Sequence, residues 1–181
     1  IIKHTNPCGL ASHDDLAEAY RRALAGDPVA AFGGIVASNR PIDLTIAEEI
    51  NKTHYDAIIA PGYDEEALKL LKKKRNLRIL ASPPMEPQRA SSLDIRRVRG
   101  GLLIQSSDSL AEEKLKLRTV TKRQPTDEEL RDLIFAWRAA KHIKSNAIVL
   151  AKDEALLGMG AGQPSRVVSV AIALERAGER G

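Results

Sequence analysis

A lysine and a histidine stand side by side at the end of a short apolar run, in Ile1-Ile2-Lys3-His4-Thr5-Asn6-Pro7-Cys8-Gly9. Imidazole changes charge closer to neutral pH than any other unperturbed side chain, which suits His4 to general-base proton transfer. Lys3 beside it can stabilise negative charge that develops during a reaction. The position favours such a role, because ligands of α/β folds collect at strand ends. A plainer reading has His4 hydrogen-bonding a turn that Asn6-Pro7 makes. Cys8 suggests a thiolate nucleophile, but closeness in sequence is not the geometry a thiolate–imidazole pair requires. A cysteine before glycine in a tight turn reads first as a small packed residue.

The second candidate is Gly158-Met159-Gly160-Ala161-Gly162-Gln163-Pro164-Ser165-Arg166. Alternating glycines permit close backbone approach, and Pro164 suits the first position of a helix. Free N–H groups at such a helix start, next to Arg166, form a site for an anion such as a phosphate. The spacing matches neither a Walker loop nor a dinucleotide fingerprint. A glycine-rich corner with no ligand is the competing reading. Further polar residues lie at Gly33, within Ala31-Phe32-Gly33-Gly34; at Asp56, before an apolar strand; and at Lys144-Ser145-Asn146, before another. A short acid or amide there can bind an amine, carbonyl or hydroxyl of a ligand, or simply cap backbone groups. His13, His54 and His142 lack ligand spacing, so no metal site is expected.

The elements that must hold these residues alternate between apolar strands and amphipathic helices. Ser12 reads as an N-cap, with Asp14 and Asp15 in the first turn of a helix that Gly26 and Pro28 stop. Residues 29–37 read as a strand turning at Gly33-Gly34. A helix over 44–53 offers Ile46, Ala47 and Ile50 to a core, and strand 57–60 ends at Pro61-Gly62. Helix 65–74 and strand 77–80 complete a β-α-β rhythm, which predicts a mostly parallel sheet with flanking helices. The lysines and arginine at 72–75 read as a solvated helix end. Residues 82–94 read as a loop or linker, and 98–105 as a hairpin or kinked strand about Gly100-Gly101. Thr126 and Glu129 form a capping box for the longest helix, whose apolar stripe is Leu130, Leu133, Ile134, Trp137 and Ala140. Strands at 147–151 and 155–157 flank a turn, and a last helix runs from near Pro164 to Ala177.

With 181 residues, 43% apolar and 29% charged, the sequence has material for a hydrophobic core. No apolar run reaches membrane-spanning length, and no signal peptide is evident. A single cysteine excludes an internal disulfide framework and fits a reducing, cytoplasmic setting. The net charge of +4 permits anionic ligands, yet basic and acidic residues interleave and aromatics are only 3%. Nucleic-acid binding by base stacking is therefore not expected. The start on Ile1-Ile2, without a methionine, suggests a piece of a longer chain.

Taken in order, seven strings resemble the AICAR transformylase region of the bifunctional purine biosynthesis family. They are KHTNPCG at 3–9, AFGGIVASN at 31–39, IIAPGYDEEAL at 58–68, RGGLLIQ at 99–105, the helix start at 125–137 that ends in FAW, KSNAIVLAK at 144–152 and GMGAGQPSR at 158–166. The resemblance covers nearly the whole chain. It implies a cytidine-deaminase-like layered α/β fold and formyl transfer from 10-formyltetrahydrofolate to the 5-amino group of AICAR in IMP synthesis. By the family motif His4 takes the amine proton and Lys3 assists. Arg166 meets the nucleotide, Asn146 and Gly33 line its site, and Asp56 lies near the carboxamide and base. The deaminases' zinc signature is absent. Some family members carry a potassium ion near the Ser-Asn segment, although nothing in this sequence requires one. Family chains also contain an IMP cyclohydrolase domain and a second transformylase half, and work as homodimers with sites across the interface. Residues 1–181 correspond to the first part of the transformylase region alone, so the isolated chain is expected to be an incomplete enzyme. A non-catalytic nucleotide-binding or structural fragment is the alternative.

Overall fold

Two left-handed residues decide the first turn of the chain. In the computed structural model, which describes residues 1–83, 93–108 and 116–180, β1 (Ile2–Lys3) pairs antiparallel with β2 (Asn6–Pro7). His4 and Thr5 are the whole connection, so the turn centre is two residues earlier than Asn6-Pro7, which belongs to the returning strand. The chain divides into two units, Ile1–Pro83 with Pro125–Gly181, and Pro84–Gln124.

In the first unit, α1 (Leu16–Gly26) starts one turn later than Ser12 suggested. Asp15 is the N-cap; its carboxylate accepts from the amides of Ala17 (2.9 Å) and Glu18 (3.4 Å). A carboxylate at the dipole's positive end satisfies donors that would otherwise be orphaned. Asp27 then caps α2 (Pro28–Ala31), so Val29 to Ala31 are helical rather than extended. The signal was Asp followed by Pro, a cap and a first helical position. After this come β3 (Gly34–Ala37), α3 (Leu44–Asn51), β4 (Tyr55–Ala60), α4 (Glu65–Leu71) and β5 (Arg78–Ala81). The α/β class holds. The sheet is mixed, in the order β2-β1-β3-β4-β5; β3, β4 and β5 run parallel, and β1 is antiparallel to both its neighbours.

The core lies where α1, α3 and α4 meet this sheet: Tyr20, Ala23, Val36, Ile46, Ala47, Ile50, Ile58, Ala67 and Leu71 are buried together. Tyr20 and Tyr55 share a buried hydroxyl–hydroxyl hydrogen bond of 2.8 Å, their rings edge-on at 6.4 Å. At 72–75 most of the basic run is solvated. Lys74 instead folds back to donate to the Thr53 carbonyl at 2.6 Å, and burial pulls its ammonium below the usual lysine range.

Among its described residues, the second unit holds a hairpin of β6 (Leu93–Val98) and β7 (Gly101–Ser106), turning at Arg99-Gly100 with Gly100 left-handed. Leu93 and Asp94 thus open a strand, and residues 84–92 of the expected linker lie outside the described residues.

Back in the first unit, α5 (Asp127–Lys141) carries the expected capping box: Thr126 N–H donates to Glu129 Oε2 at 2.9 Å, and Glu129 N–H to Thr126 Oγ1 at 3.2 Å. Its inner face differs from the expected stripe. Phe135 and Ala139 are buried, while Leu133 and Trp137 are 59% and 48% exposed. Asp132 explains the rotation, because its carboxylate accepts from the amides of Asp153 (3.0 Å) and Glu154 (2.7 Å). Those two left-handed residues join β8 (Ile148–Lys152) to β9 (Ala155–Gly160), an antiparallel pair. The strand therefore runs three residues beyond 155–157 and takes in Gly158 and Gly160.

This pairing overturns the loop reading of those glycines. α6 (Arg166–Ala177) crosses β9 with its small face, Ser169, Ala173 and Ala177, fully buried. A methyl group at Gly158 would stand 2.7 Å from the Ala177 nitrogen, and one at Gly160 2.8 Å from the Ser169 carbonyl carbon. Both glycines serve helix-on-strand packing. The helix begins at Arg166 with Ser165 as N-cap, two residues after Pro164. Among the described residues, no helix is long and apolar enough to cross a membrane.

Candidate active site

His4 and Thr5 have φ of 50° and 66°. A two-residue hairpin of this hand normally takes Asn-Gly, because both central residues must be left-handed. A β-branched threonine there is strained. The Thr5 hydroxyl donates to the His4 carbonyl at 2.6 Å and Asn6 Nδ2 to the same oxygen at 3.3 Å, which fastens the turn from outside. The His4 ring takes no part. It is exposed, and among the described residues it has no hydrogen-bond partner, so the turn uses the backbone of His4 and leaves the imidazole free.

Lys3 reaches across to α2, where Nζ donates to the Phe32 carbonyl. Gly33 follows with φ of 69°; its N–H donates to the His54 carbonyl at 2.9 Å, and a methyl group on it would meet Lys3 Nζ at 3.6 Å. An ammonium has three donors, so Lys3 retains two after binding Phe32.

Asp56 is the second residue of β4 rather than a residue before it, because Tyr55 already pairs with Gly34. The ladder then slips: Gly34 opposes Tyr55 and Ile35 opposes Ala57, which leaves Asp56 as the extra residue of a β-bulge. Bulges re-aim side chains beside sites. Here Tyr55 is 1% exposed in the core while the Asp56 side chain is 60% exposed. Two residues without a predicted role complete the group. The Phe32 and His54 rings lie 5.1 Å apart, and His54 Nε2 is 3.6 Å from Asp56 Oδ1. The i, i+2 spacing of His54 and Asp56 was visible in sequence; the Phe32 contact was not.

A second group forms around α6. Asn146, left-handed at φ 58°, donates from Nδ2 to the carbonyls of Gln163 (2.6 Å) and Pro164 (3.4 Å), while Gly162 N–H donates to Ser145 O at 2.9 Å. These bonds pin the loop before α6 through Asn146 Nδ2. Arg166 is exposed at the first helical position, and Ser165 makes no side-chain cap bond to the turn. Of the residues expected to bind an anion, the helix start and the Arg166 guanidinium lie together here, without the glycines of β9. The Ser145, Gln163 and Pro164 carbonyls each accept a hydrogen bond in this loop and keep a second lone pair.

A hydrogen bond thus joins Lys3 to the corner at Gly33, His54 Nε2 lies 3.6 Å from Asp56, and a separate network holds Asn146 to the loop before α6. Among the described residues, no hydrogen bond or ion pair links the two groups. Cys8 is half-buried, its thiol donating to Ile1 O at 3.5 Å, and burial pushes it up in pKa, against thiolate formation. Among the described residues, no three His, Cys, Asp or Glu converge as metal ligands.

A family model described as AICARFT/IMPCHase bienzyme matches residues 1–176. The chain is 52% identical over 177 residues to the bifunctional purine biosynthesis protein PurH of Agrobacterium fabrum, covering 98% of this chain and 33% of that protein. The proteins of the same name from Magnetococcus marinus and Trichormus variabilis are 51% and 47% identical, over 98% and 99% of this chain and 34% and 35% of theirs. The chain spans about a third of the length of these curated relatives.

Proposed function

The chain belongs to the AICARFT/IMPCHase bienzyme family, and on that premise we propose that it supplies the proton-transfer and nucleotide-binding residues of a formyltransferase in purine biosynthesis. The 5-amino nitrogen of AICAR attacks the formyl carbon of 10-formyltetrahydrofolate. A new C–N bond forms, the bond from that carbon to the folate nitrogen breaks, the amine loses a proton and the folate nitrogen gains one. His4, with its imidazole exposed and unengaged, accepts the amine proton. The two spare donors of Lys3 face negative charge on the carbonyl oxygen, or return a proton to the leaving nitrogen.

Arg166 and the start of α6 receive the nucleotide phosphate, and Asn146 Oδ1 and Asp56 accept hydrogen bonds from the base and its carboxamide. Gly33 leaves room for close approach. On this reading the intact protein is a cytoplasmic homodimer, with the cyclohydrolase and the remaining transformylase contacts on other parts of the chain.

The observation that carries the proposal is the turn at His4-Thr5. Two side chains are kept in left-handed conformation where glycine would relieve the strain, and the imidazole so presented has no structural partner. Strain retained in this way accompanies function.

Calorimetric titration with AICAR and a formyl-transfer assay test it. The 181-residue chain is expected to bind AICAR with little or no turnover. In a full-length relative carrying these residues, His4→Ala should abolish transfer while folding and AICAR binding persist. Unchanged turnover would remove His4 from its role and leave a nucleotide-binding segment.

A further inference from the structure

One side chain touches both parts of the first group and has no role in the reaction above. His54 packs its ring against Phe32 at 5.1 Å, tilted by 39°, and holds Nε2 3.6 Å from Asp56 Oδ1. Its carbonyl accepts the Gly33 N–H, and the Phe32 carbonyl in turn accepts Lys3 Nζ. Phe32, His54 and Asp56 are all substantially exposed, so burial in the core does not account for their association. The bulge at Asp56 is what brings the carboxylate outward to the imidazole, while Tyr55 between them turns into the core.

We propose that His54 is a positioning residue of the nucleotide site: stacked on Phe32, it holds one oxygen of Asp56 and leaves the other to accept a hydrogen bond from the ligand. The proposal rests on the nucleotide reading of Asp56. Charged groups approach from three other elements. Lys3 comes from β1, Arg78 from β5 donates to the Asp56 carbonyl at 3.4 Å, and Lys74, after α4, donates to Thr53 O. Asp56 is the acid that faces the ring. A protonated imidazole therefore forms an ion pair with Asp56, and a neutral one at 3.6 Å holds it only loosely. The pairing is therefore expected to follow the charge on the imidazole, which the test varies through pH over about 8 to 5.

The test measures AICAR affinity by calorimetry across that pH range for the unmodified chain, His54→Phe and Asp56→Asn. His54→Phe keeps a ring on Phe32 and removes the nitrogen. The quantity read is the ratio of variant to unmodified Kd, in which titration of the ligand phosphate cancels. For His54→Phe the ratio should be larger at the acid end of the range than at the alkaline end, by about threefold, the scale an exposed charge pair supports. In an Asp56→Asn background His54→Phe should add no pH-dependent loss. His54→Gln, which keeps donors but loses the stack, should show a loss that does not vary with pH.

A His54→Phe ratio flat across pH, with the unmodified chain binding AICAR, overturns the role of His54 and leaves the nucleotide site standing. Failure of the unmodified chain to bind AICAR at any pH overturns the nucleotide reading and the proposal with it. Without ligand, proton NMR should show nuclear Overhauser contacts between the Phe32 and His54 rings; their absence refutes the stack on its own.

Discussion

Replacing Gly160 by alanine puts a methyl group where α6 already lies. That group would stand 2.8 Å from the Ser169 carbonyl carbon, 3.0 Å from its Cα and closer still to the carbonyl oxygen. All three are backbone atoms of a helix whose packed face has no flexible side chain to give way, since Ser169, Ala173 and Ala177 are fully buried. Relief requires moving α6 away from β9 by something near an ångström, which undoes the contacts of that small-residue face. Overpacking alone costs about 1–3 kcal/mol, and displacement of a backbone element lies at or above the top of that range. We expect at least about 3 kcal/mol, a large share of the roughly 5–15 kcal/mol that holds an ordinary domain together. Gly162→Ala is the control. Gly162 has φ of 71° with open space around it, so its alanine bears only the left-handed backbone cost, about 1 kcal/mol. Urea unfolding would give both values, and hydrogen exchange in α6 should accelerate for Gly160→Ala. If Gly160→Ala loses under 1 kcal/mol yet AICAR binding disappears, the packing argument fails and the glycines return to the ligand.

Thr5→Gly trades relieved left-handed strain against glycine's backbone entropy and a hydroxyl bond, so stability should hold or rise by up to about 1 kcal/mol. Formyl transfer in an intact relative should fall as His4 loses its fixed presentation; a marked loss of stability would show that the turn is unstrained. Arg166→Ala should leave the unfolding midpoint unchanged and weaken AICAR binding about tenfold or more, the scale of a charged hydrogen bond. Asn146→Ala should also destabilise the fold by about 1–2 kcal/mol, because Nδ2 holds the Gln163 carbonyl and Asn tolerates the left-handed backbone. Equal unfolding midpoints for the two variants would contradict the separation. Burial pushes the Tyr20 and Tyr55 hydroxyls up, so the unfolded chain ionises first and stability should fall as pH rises above about 10, by up to about 1.4 kcal/mol per unit for each tyrosine. Tyr55→Phe should flatten that fall relative to the unmodified chain in urea titrations from about pH 8 to 11, lysine ionisation cancelling in the difference; identical slopes would refute it.

Local chemistry was legible in sequence and long-range chemistry was not. The Thr126 capping box, helix α3 with its Ile46, Ala47 and Ile50 face, and the Gly100 hairpin all depend on neighbours a few residues away, and all three are present. The inner face of α5 depends on Asp132 reaching the turn at Asp153-Glu154, and apolar periodicity alone favoured the Leu133–Trp137 side. Within the candidate site, the free His4 and the exposed Arg166 lie where strand-end and helix-start reasoning expected them. Gly158 and Gly160 did not separate from Gly162 until the crossing of α6 on β9 was known, because close approach to a ligand and to a helix demand the same residue. Phe32 and His54 escaped for a related reason. Their contact joins the corner before β3 to the start of β4, and no spacing within either segment encodes it.

The bulge in β4 has a consequence for how this surface can change. In an unbroken strand Asp56 would share a face with Ile58 and Ala60, both buried, and a carboxylate there would have to be surrendered to the core. The additional residue uncouples the two requirements. Tyr55 answers to the packing of Tyr20, and Asp56 answers to its exposed neighbour His54 and to solvent. Residue 56 is thereby open to exchange for other polar side chains at small cost to the fold, while position 55 is not. Deletion of either would rotate the start of the strand and bring an outward-facing carboxylate and the core back into conflict.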